Sequence, residues 1–424
     1  MLRFLESMQF MLFVFFTAAY AYQIVYLFVG LIGKGRGGRE NAKLHRYAAV
    51  VAARNESAVI ANLIRTLKEQ NYPSELLDIY VIADNCTDNT AQISRQAGAY
   101  VYERFNKVQV GKGYALEYLF HHIFEDKGET AYDGFFVFDA DNIVDRDFVR
   151  EMNKMFDTGE YTALTSYRNS QNFCANWISA GYALWFLRES RFLNRPRTQL
   201  GVNCAVSGTG FLVSAQAVRE DAGWPYHLLT EDIQFSVHEI LQGRKVAFAP
   251  DAVLYDEQPT TFRQSWRQRM RWSQGYLQVF RDYGARLLRG IFRGSFSCFD
   301  MSMAIMPAFV LSTVSILVNL TLGVVGALAG DNLLVAFESV GQMLLNMYLT
   351  LLVLGGITTV TEWNQIRTSS VKKFVYVFTF PLFMFTYIPI SLAAFFCKPQ
   401  WKPIEHRVSA AHLRSRDRQE VLPF

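Results

Sequence analysis

Residues 134–141 read GFFVFDAD. The run from Gly134 to Phe138 is a strand, and Asp139-Ala140-Asp141 stops it. Side chains alternate along an extended chain, so Asp139 and Asp141 are expected on one side. Two hard oxygen donors at that spacing suit Mg2+ or Mn2+ bridging a diphosphate. An acidic capping turn reads the same way, so this short motif decides nothing without its surroundings.

The surroundings repeat the pattern. Upstream, Tyr47 to Ala53 (YAAVVAA) is a short buried strand. RNES then opens a helix whose apolar positions are Val59, Ile60, Leu63, Ile64 and Leu67. Leu77 to Ala83 is a second strand, closed by the turn-forming DNCTDNT. A helix runs to Gly98, the strand AYVYER follows, and another helix starts behind Gly111-Lys112-Gly113. Downstream come a strand over Tyr161 to Tyr167, a helix over Ala175 to Phe192 and the strand KVAFAP. Strands alternating with helices predict an α/β class with a mainly parallel sheet. Ligands bind at the carboxyl ends of such strands. The loops RNE, DNCTD and DAD all fall there.

The 424 residues are 51% hydrophobic and 19% charged. The apolar excess lies in residues 10–33 and beyond Met301, leaving a middle with the composition of an ordinary folded domain. Residues 10–33 carry no charge and are long enough to span a bilayer. The basic GKGRGGRENAKLHR follows, which places the next domain in the cytoplasm. Met301 to Gly330, Leu333 to Val360 and Phe374 to Cys397 are three further spans, the last interrupted by Pro381 and Pro389. RTSSVKK and the tail after Cys397 are both basic. A full last span would separate them, so a re-entrant or interfacial segment reconciles the two. The net charge of +4 is mild, and basic residues flank apolar ones, which favours a membrane surface over nucleic acid. The five cysteines are far apart, so no zinc site or disulfide framework is indicated.

Further polar stretches carry candidate chemistry. Thr230-Glu231-Asp232 opens a helix, with Thr230 as N-cap and the acids suited to the dipole. Asp232 is a candidate general base. Glu56 and Asp84 can accept from a nucleobase or ribose, or serve their turns. Lys112 can reach a phosphate, although GKG lacks the Walker spacing. Ser207-Gly208-Thr209-Gly210 lets a substrate approach the backbone closely, or is a tight turn. In Phe262 to Phe280, Gln268, Arg271 and Trp272 stand at i, i+3 and i+4 and share a helix face. Guanidinium suits a diphosphate, indole a sugar ring, and amide its hydroxyls. A basic amphipathic helix on a membrane surface is the plainer reading of the same stretch.

The order Asp84, DAD, TED, QxxRW and then apolar spans resembles the processive family-2 glycosyltransferases. These are the bacterial synthases of cellulose and related β-glucans, hyaluronan and poly-N-acetylglucosamine. The likeness covers roughly residues 45–290 by motif and the flanks by layout. It implies a GT-A domain, a Rossmann-like mixed sheet, fused to α-helical transmembrane segments. The implied division is 1–34 transmembrane, 45–260 catalytic, 261–300 QxxRW and interfacial helices, 301–398 transmembrane, and 399–424 basic tail. The implied roles follow the motifs. Glu56 and Asp84 hold uridine, and Lys112, Asp139 and Arg271 hold the rest of the donor. Asp139 and Asp141 hold Mg2+ or Mn2+, and Asp232 is the catalytic base. Gln268, Trp272, Ser207 and Gly208 receive the acceptor.

The implied activity is an inverting, UDP-sugar-dependent hexosyl transfer that polymerises a β-linked polysaccharide, of β-glucan type, and moves it across the plasma membrane. Partners are the UDP-sugar, the growing polysaccharide, the lipid bilayer and secretion or accessory subunits, with no nucleic acid. A non-processive enzyme that adds one sugar to a lipid, like ceramide glucosyltransferases, carries the same acids and QxxRW. Synthases of hyaluronan or poly-N-acetylglucosamine fit equally. A catalytically silent membrane subunit is the reading outside enzymology. The sequence departs from the resemblance at Ala52-Ala53-Arg54-Asn55-Glu56, which lacks the family's proline and aromatic residue. Neither a FxVTxK loop nor a PilZ-like extension is present.

Overall fold

The chain is organised around β1 (Tyr47–Ala53), which is paired on both sides. β2 (Leu77–Asp84) lies parallel to it, with Tyr47 opposite Leu77 and Ala53 opposite Ala83. β3 (Tyr100–Arg104) continues parallel beyond β2. The chain then crosses back, and β4 (Gly134–Asp139) pairs with the other side of β1, Ala52 opposite Asp139. Strand order therefore reverses at β1, and a crevice opens at the carboxyl ends of β1 and β4. This computed structural model describes residues 17–33, 37–305 and 333–397, plus positions 7, 11, 14, 318, 321, 324, 325 and 328.

Four more strands complete the sheet: β5 (Ile143–Val144), β6 (Ala163–Ser170), β7 (Phe211–Ser214) and β8 (Val246–Asp256), in the order β3-β2-β1-β4-β7-β6-β8-β5. β7 runs antiparallel to β4 and β6, β6 and β8 are parallel, and β5 is antiparallel to β8. The sheet is thus mixed: β3, β2, β1 and β4 pair in parallel as the alternation of elements suggested, and β7 and β5 introduce antiparallel pairing in the other half. The reversal begins in the glycine loop, where Gly210 takes a positive φ and its N–H donates to the Val137 carbonyl at 2.8 Å. β1 and β4 are buried over both faces, as expected for central strands. On one face Ala48, Val50, Phe135 and Val137 pack with Leu116, Phe120 and Trp224. On the other, Tyr47, Val51, Phe136 and Phe138 pack with Ile60, Leu63 and Phe148.

Among the described residues, the helices in chain order are α1 (Tyr22–Ile32), α2 (Ile60–Lys68), α3 (Thr90–Gln96), α4 (Lys112–Lys127), α5 (Phe148–Phe156), α6 (Trp177–Glu189), α7 (Arg195–Gln199), α8 (Ala215–Glu220), α9 (Glu231–Leu241), α10 (Phe262–Phe292), α11 (Phe296–Ile305), α12 (Leu333–Thr361), α13 (Ser370–Phe385) and α14 (Tyr387–Phe396). A π-helical turn over Ser190–Asn194 links α6 to α7. Among the described residues, two stretches are long and apolar enough to cross a membrane, Leu344–Thr361 and Ser370–Phe396. The expected span 10–33 is described from 17 onward. The expected span Met301 to Gly330 lies almost wholly outside the described residues, as does the tail with Trp401 to Arg407.

The last apolar segment breaks at Thr386, between its two prolines. Pro389 then falls in the first turn of α14, where no helical N–H is needed. Arg269 clamps this break. It is fully buried, and its Nη1 donates to Thr386 Oγ1 at 2.7 Å and the Phe383 carbonyl at 3.3 Å. Its guanidinium also lies 4.5 Å from the Phe383 ring centre and 4.7 Å from that of Tyr387. Glu362, just past α12, accepts from the Tyr167 hydroxyl and pairs with Arg191 at 3.5 Å. These contacts seat the apolar helices against the sheet domain.

Candidate active site

A cavity of about 520 Å³ lies between the sheet's carboxyl edge, α9, α10 and the apolar helices. Lys112, Asp139, Ser207 and Gly208 line it from the sheet side. Asp232, Gln268, Arg271 and Trp272 line it from the helix side. Eight residues singled out from the sequence, spread over 160 positions of chain (272 − 112), therefore face one space. Glu56, Asp84 and Asp141 do not line it. Asp84 is buried and paired with Arg104 at 2.7 Å. Arg104 in turn donates to the Gln109 carbonyl at 2.8 Å, so this pair fixes the loop after β3. Glu56 sits beside the DNCTD loop: its backbone N–H donates to Thr90 Oγ1 at 2.8 Å, and Asn55 Oδ1 accepts from the Thr87 N–H at 2.8 Å.

Lys112 begins α4 behind Gly111. Its Nζ donates to the Gly208 carbonyl at 2.6 Å and pairs with Asp139 Oδ1. Burial alone would lower its pKa, but Asp139 and then Glu231 outweigh it and hold the ammonium charged. β4 ends at Asp139, and Ala140 and Asp141 lie in a turn. Strand alternation therefore does not govern Asp141. The Asp139 N–H donates to Thr209 Oγ1 at 2.8 Å, and Gln171 Nε2 donates to the Asp141 carbonyl at 2.7 Å, which pins the turn. Among the described residues, the two clusters of three His, Asp or Glu with converging ligand atoms are His121-His122-Glu125 and Asp221-His238-Glu239, both away from this turn. Asp139 and Asp141 supply hard carboxylate oxygens of the kind a divalent cation takes.

Glu231 and Asp232 start α9. Thr230 precedes them at the N-cap, but its hydroxyl makes no cap bond and faces Gly275 of α10 instead. Both acids are pushed up. Burial, then the neighbouring Asp232, raises Glu231 to about 7. Burial raises Asp232, against the Ile233 N–H, Lys112 and Arg271. Gly208 has φ +79°, and a Cβ there would stand 3.2 Å from Asp232 Oδ2. Only glycine gives Asp232 this room without strain.

On α10, Gln268, Arg271 and Trp272 share the face expected of them, while Arg269 points to the apolar helices. Trp272 meets Tyr182 and Phe186 edge-on, with centroids 5.9 and 6.3 Å apart. Gln268 Oε1 is buried and has no partner among the described residues, so it can accept from a ligand hydroxyl. Arg271 forms no ion pair among the described residues.

The sequence reading missed several cavity residues. Arg168 donates to the Ser207 carbonyl at 2.8 Å, pairs with Asp256 and lies 3.9 Å from the Phe186 ring centre. Arg188 and Glu189 end α6 and also line the cavity. Their signal was present, as a charge pair closing the otherwise uncharged WISAGYALWFL. The far wall is apolar, with Met301, Met303, Met347, Leu351, Leu354 and Met384.

Comparison with known proteins fits this geometry. The family model described as Glycosyltransferase like family 2 matches residues 45–275. The chain is 28% identical over 239 residues to a beta-monoglucosyldiacylglycerol synthase of Synechocystis sp., covering 55% of this chain and 48% of that one. It is 27% identical over 242 residues to the poly-beta-1,6-N-acetyl-D-glucosamine synthase of Staphylococcus aureus, covering 55% of each. Each match spans about half of the relative. Among solved structures, mannosyltransferase PcManGT from Pyrobaculum calidifontis, in complex with GDP-Man and Mn2+, superposes with a TM-score of 0.60. It is 16% identical and the match covers 92% of this chain and 99% of that one, so the fold is GT-A.

Proposed function

The chain belongs to glycosyltransferase like family 2, and from that premise we propose that it transfers a hexosyl group from a UDP-sugar, with inversion, to an acceptor hydroxyl at a membrane face. The observation that carries the reading is the convergence of Lys112, Asp139, Asp232, Gln268, Arg271 and Trp272 on one cavity. Asp232 takes the proton of the acceptor hydroxyl, whose oxygen attacks the anomeric carbon. Its raised affinity for a proton suits a base working near neutral pH. Arg271 and Lys112 oppose the charge that grows on the departing diphosphate. Asp139 and Asp141 would hold a divalent cation, whose contribution when bound is to neutralise that same diphosphate. Asp84 and Glu56 mark the uridine end of the crevice, beyond the cavity. Trp272 and Gln268 hold the acceptor ring or headgroup. The catalytic unit is 45–260, followed by 261–300 and the membrane-associated 301–398.

Two acceptors fit this chemistry. A growing β-linked polysaccharide, translocated as it lengthens, matches the order of motifs, and one relative is named as a poly-N-acetylglucosamine synthase. A single lipid acceptor matches the apolar far wall, and another relative is named as a glucosyldiacylglycerol synthase. The wall favours the lipid, because methionine and leucine offer nothing to sugar hydroxyls and suit acyl chains. The test is UDP release by the full chain in nanodiscs with Mg2+ or Mn2+, one UDP-sugar at a time. Turnover with one donor, lost in Asp232→Asn, is expected. No turnover from any UDP- or GDP-sugar would overturn the reading and leave a silent membrane subunit.

A further inference from the structure

Among the described residues, five Lys or Arg side chains line the cavity, and three are already neutralised. Lys112 pairs with Asp139, Arg168 with Asp256 and Arg197 with Asp300. Arg271 stands beside the donor-side acids and is accounted for by the diphosphate. Arg188 is left. Its Nη2 donates to Gln23 Oε1 at 3.0 Å, it lies 5.2 Å from the Trp185 ring centre, and it forms no ion pair among the described residues. The adjacent Glu189 likewise forms neither an ion pair nor a hydrogen bond among them, and it lines the cavity. Glu189 and Asp232 both line this cavity. No step of the proposed transfer uses Arg188 or Glu189.

We infer that Arg188 and Glu189 form the headgroup subsite of the acceptor, and that it takes an uncharged lipid headgroup with neighbouring hydroxyls. A carboxylate accepts from hydroxyls and a guanidinium donates to their oxygens, so an adjacent pair grips a diol at two points. The charge balance excludes an anionic head. A phosphate drawn to Arg188 would stand against Glu189, with Asp232 and Glu231 in the same space. The methionine wall of α11, α12 and α13 receives the acyl chain, so a headgroup held here lies between lipid and base. The free glycerol end of a monoacylglycerol and the sugar of a glycolipid share this chemistry. The inference rests on the transfer reading above.

The experiment uses the full chain in nanodiscs and the UDP-sugar that turns over. Acceptors are 1-monooleoylglycerol, dodecyl β-glucoside, phosphatidylglycerol and a soluble oligosaccharide without a chain. Wild type is expected to use one or both neutral lipids, which identifies the source of the hydroxyls, and to use the other two poorly. Glu189→Gln and Arg188→Gln are expected to raise the acceptor KM about tenfold, the loss of one charge-assisted hydrogen bond. The donor KM and the slow release of UDP to water are expected to stay within twofold. Preference for phosphatidylglycerol, equal use of the soluble oligosaccharide, or an unchanged acceptor KM would each overturn the subsite. If the variants do not fold, the wild-type acceptor ranking still decides. Absence of UDP release from wild type would instead sink the transfer reading itself.

Discussion

Gly275→Ala tests how α10 carries its three site residues to the acids. A Cβ built at Gly275 stands 2.5 Å from both Thr230 Cγ2 and Thr230 Oγ1, and 2.9 Å from Thr230 Cβ. Ordinary contact between such atoms begins near 3.5 Å, so the helix or the TED segment must move by about 1 Å. Trp272 is three residues upstream and Asp232 two residues beyond Thr230, so the shift falls between base and acceptor platform. A misplacement of about 1 Å can cost roughly a hundredfold in rate. Stability moves less. Overpacking costs about 1–3 kcal/mol, and alanine regains roughly 1 kcal/mol over glycine within a helix. The assay is kcat/KM for UDP release alongside Tm in the same detergent. The expected result is a fall of about a hundredfold with a small change in Tm, partly reversed in Gly275→Ala/Thr230→Ala. A kcat/KM within threefold of the parent would refute the reasoning, because the contact could not then be setting the geometry.

Asp232→Asn is expected to lower kcat by about 10²–10⁴-fold, with donor binding by equilibrium dialysis nearly unchanged. Glu231 keeps its proton to about pH 7 in the fold, against 4.5 for the free group. The folded state therefore binds more protons than the unfolded one between these values, and its contribution to stability is lost as pH rises through that window. Glu231→Gln should flatten the fall in Tm between pH 5 and pH 8 and move the acid limb of activity downward. Arg271→Lys is expected to raise the donor KM and Trp272→Ala the acceptor KM, read from initial rates with each substrate varied.

The half of the fold that the sequence announced is the half built from uninterrupted apolar runs. YAAVVAA, LDIYVIA and GFFVF became β1, β2 and β4 because central strands are buried over both faces and leave no other reading. β7 and β5 are short, and their antiparallel pairing is set by the Gly208–Gly210 reversal and by partners distant in sequence, which periodicity does not encode. The acid motifs and QxxRW were visible as local spacing. What spacing could not reveal was competition: Asp84 is tied to Arg104, Lys112 to Asp139, and Arg269 turns away to hold the break at Thr386. Nor could it reveal the apolar wall, since Met301, Met347 and Met384 come together only when separate helices pack. Arg188 and Glu189 looked like the polar end of an apolar helix, and only their place in the cavity makes them candidates for the acceptor.

The most direct measurement is the anomeric configuration of the first product, made with the α-linked UDP-sugar that turns over and read by proton NMR on the purified material. A β-linked sugar on the acceptor, absent with Asp232→Asn, is the predicted result. An α-linked sugar would contradict single displacement with Asp232 as the base.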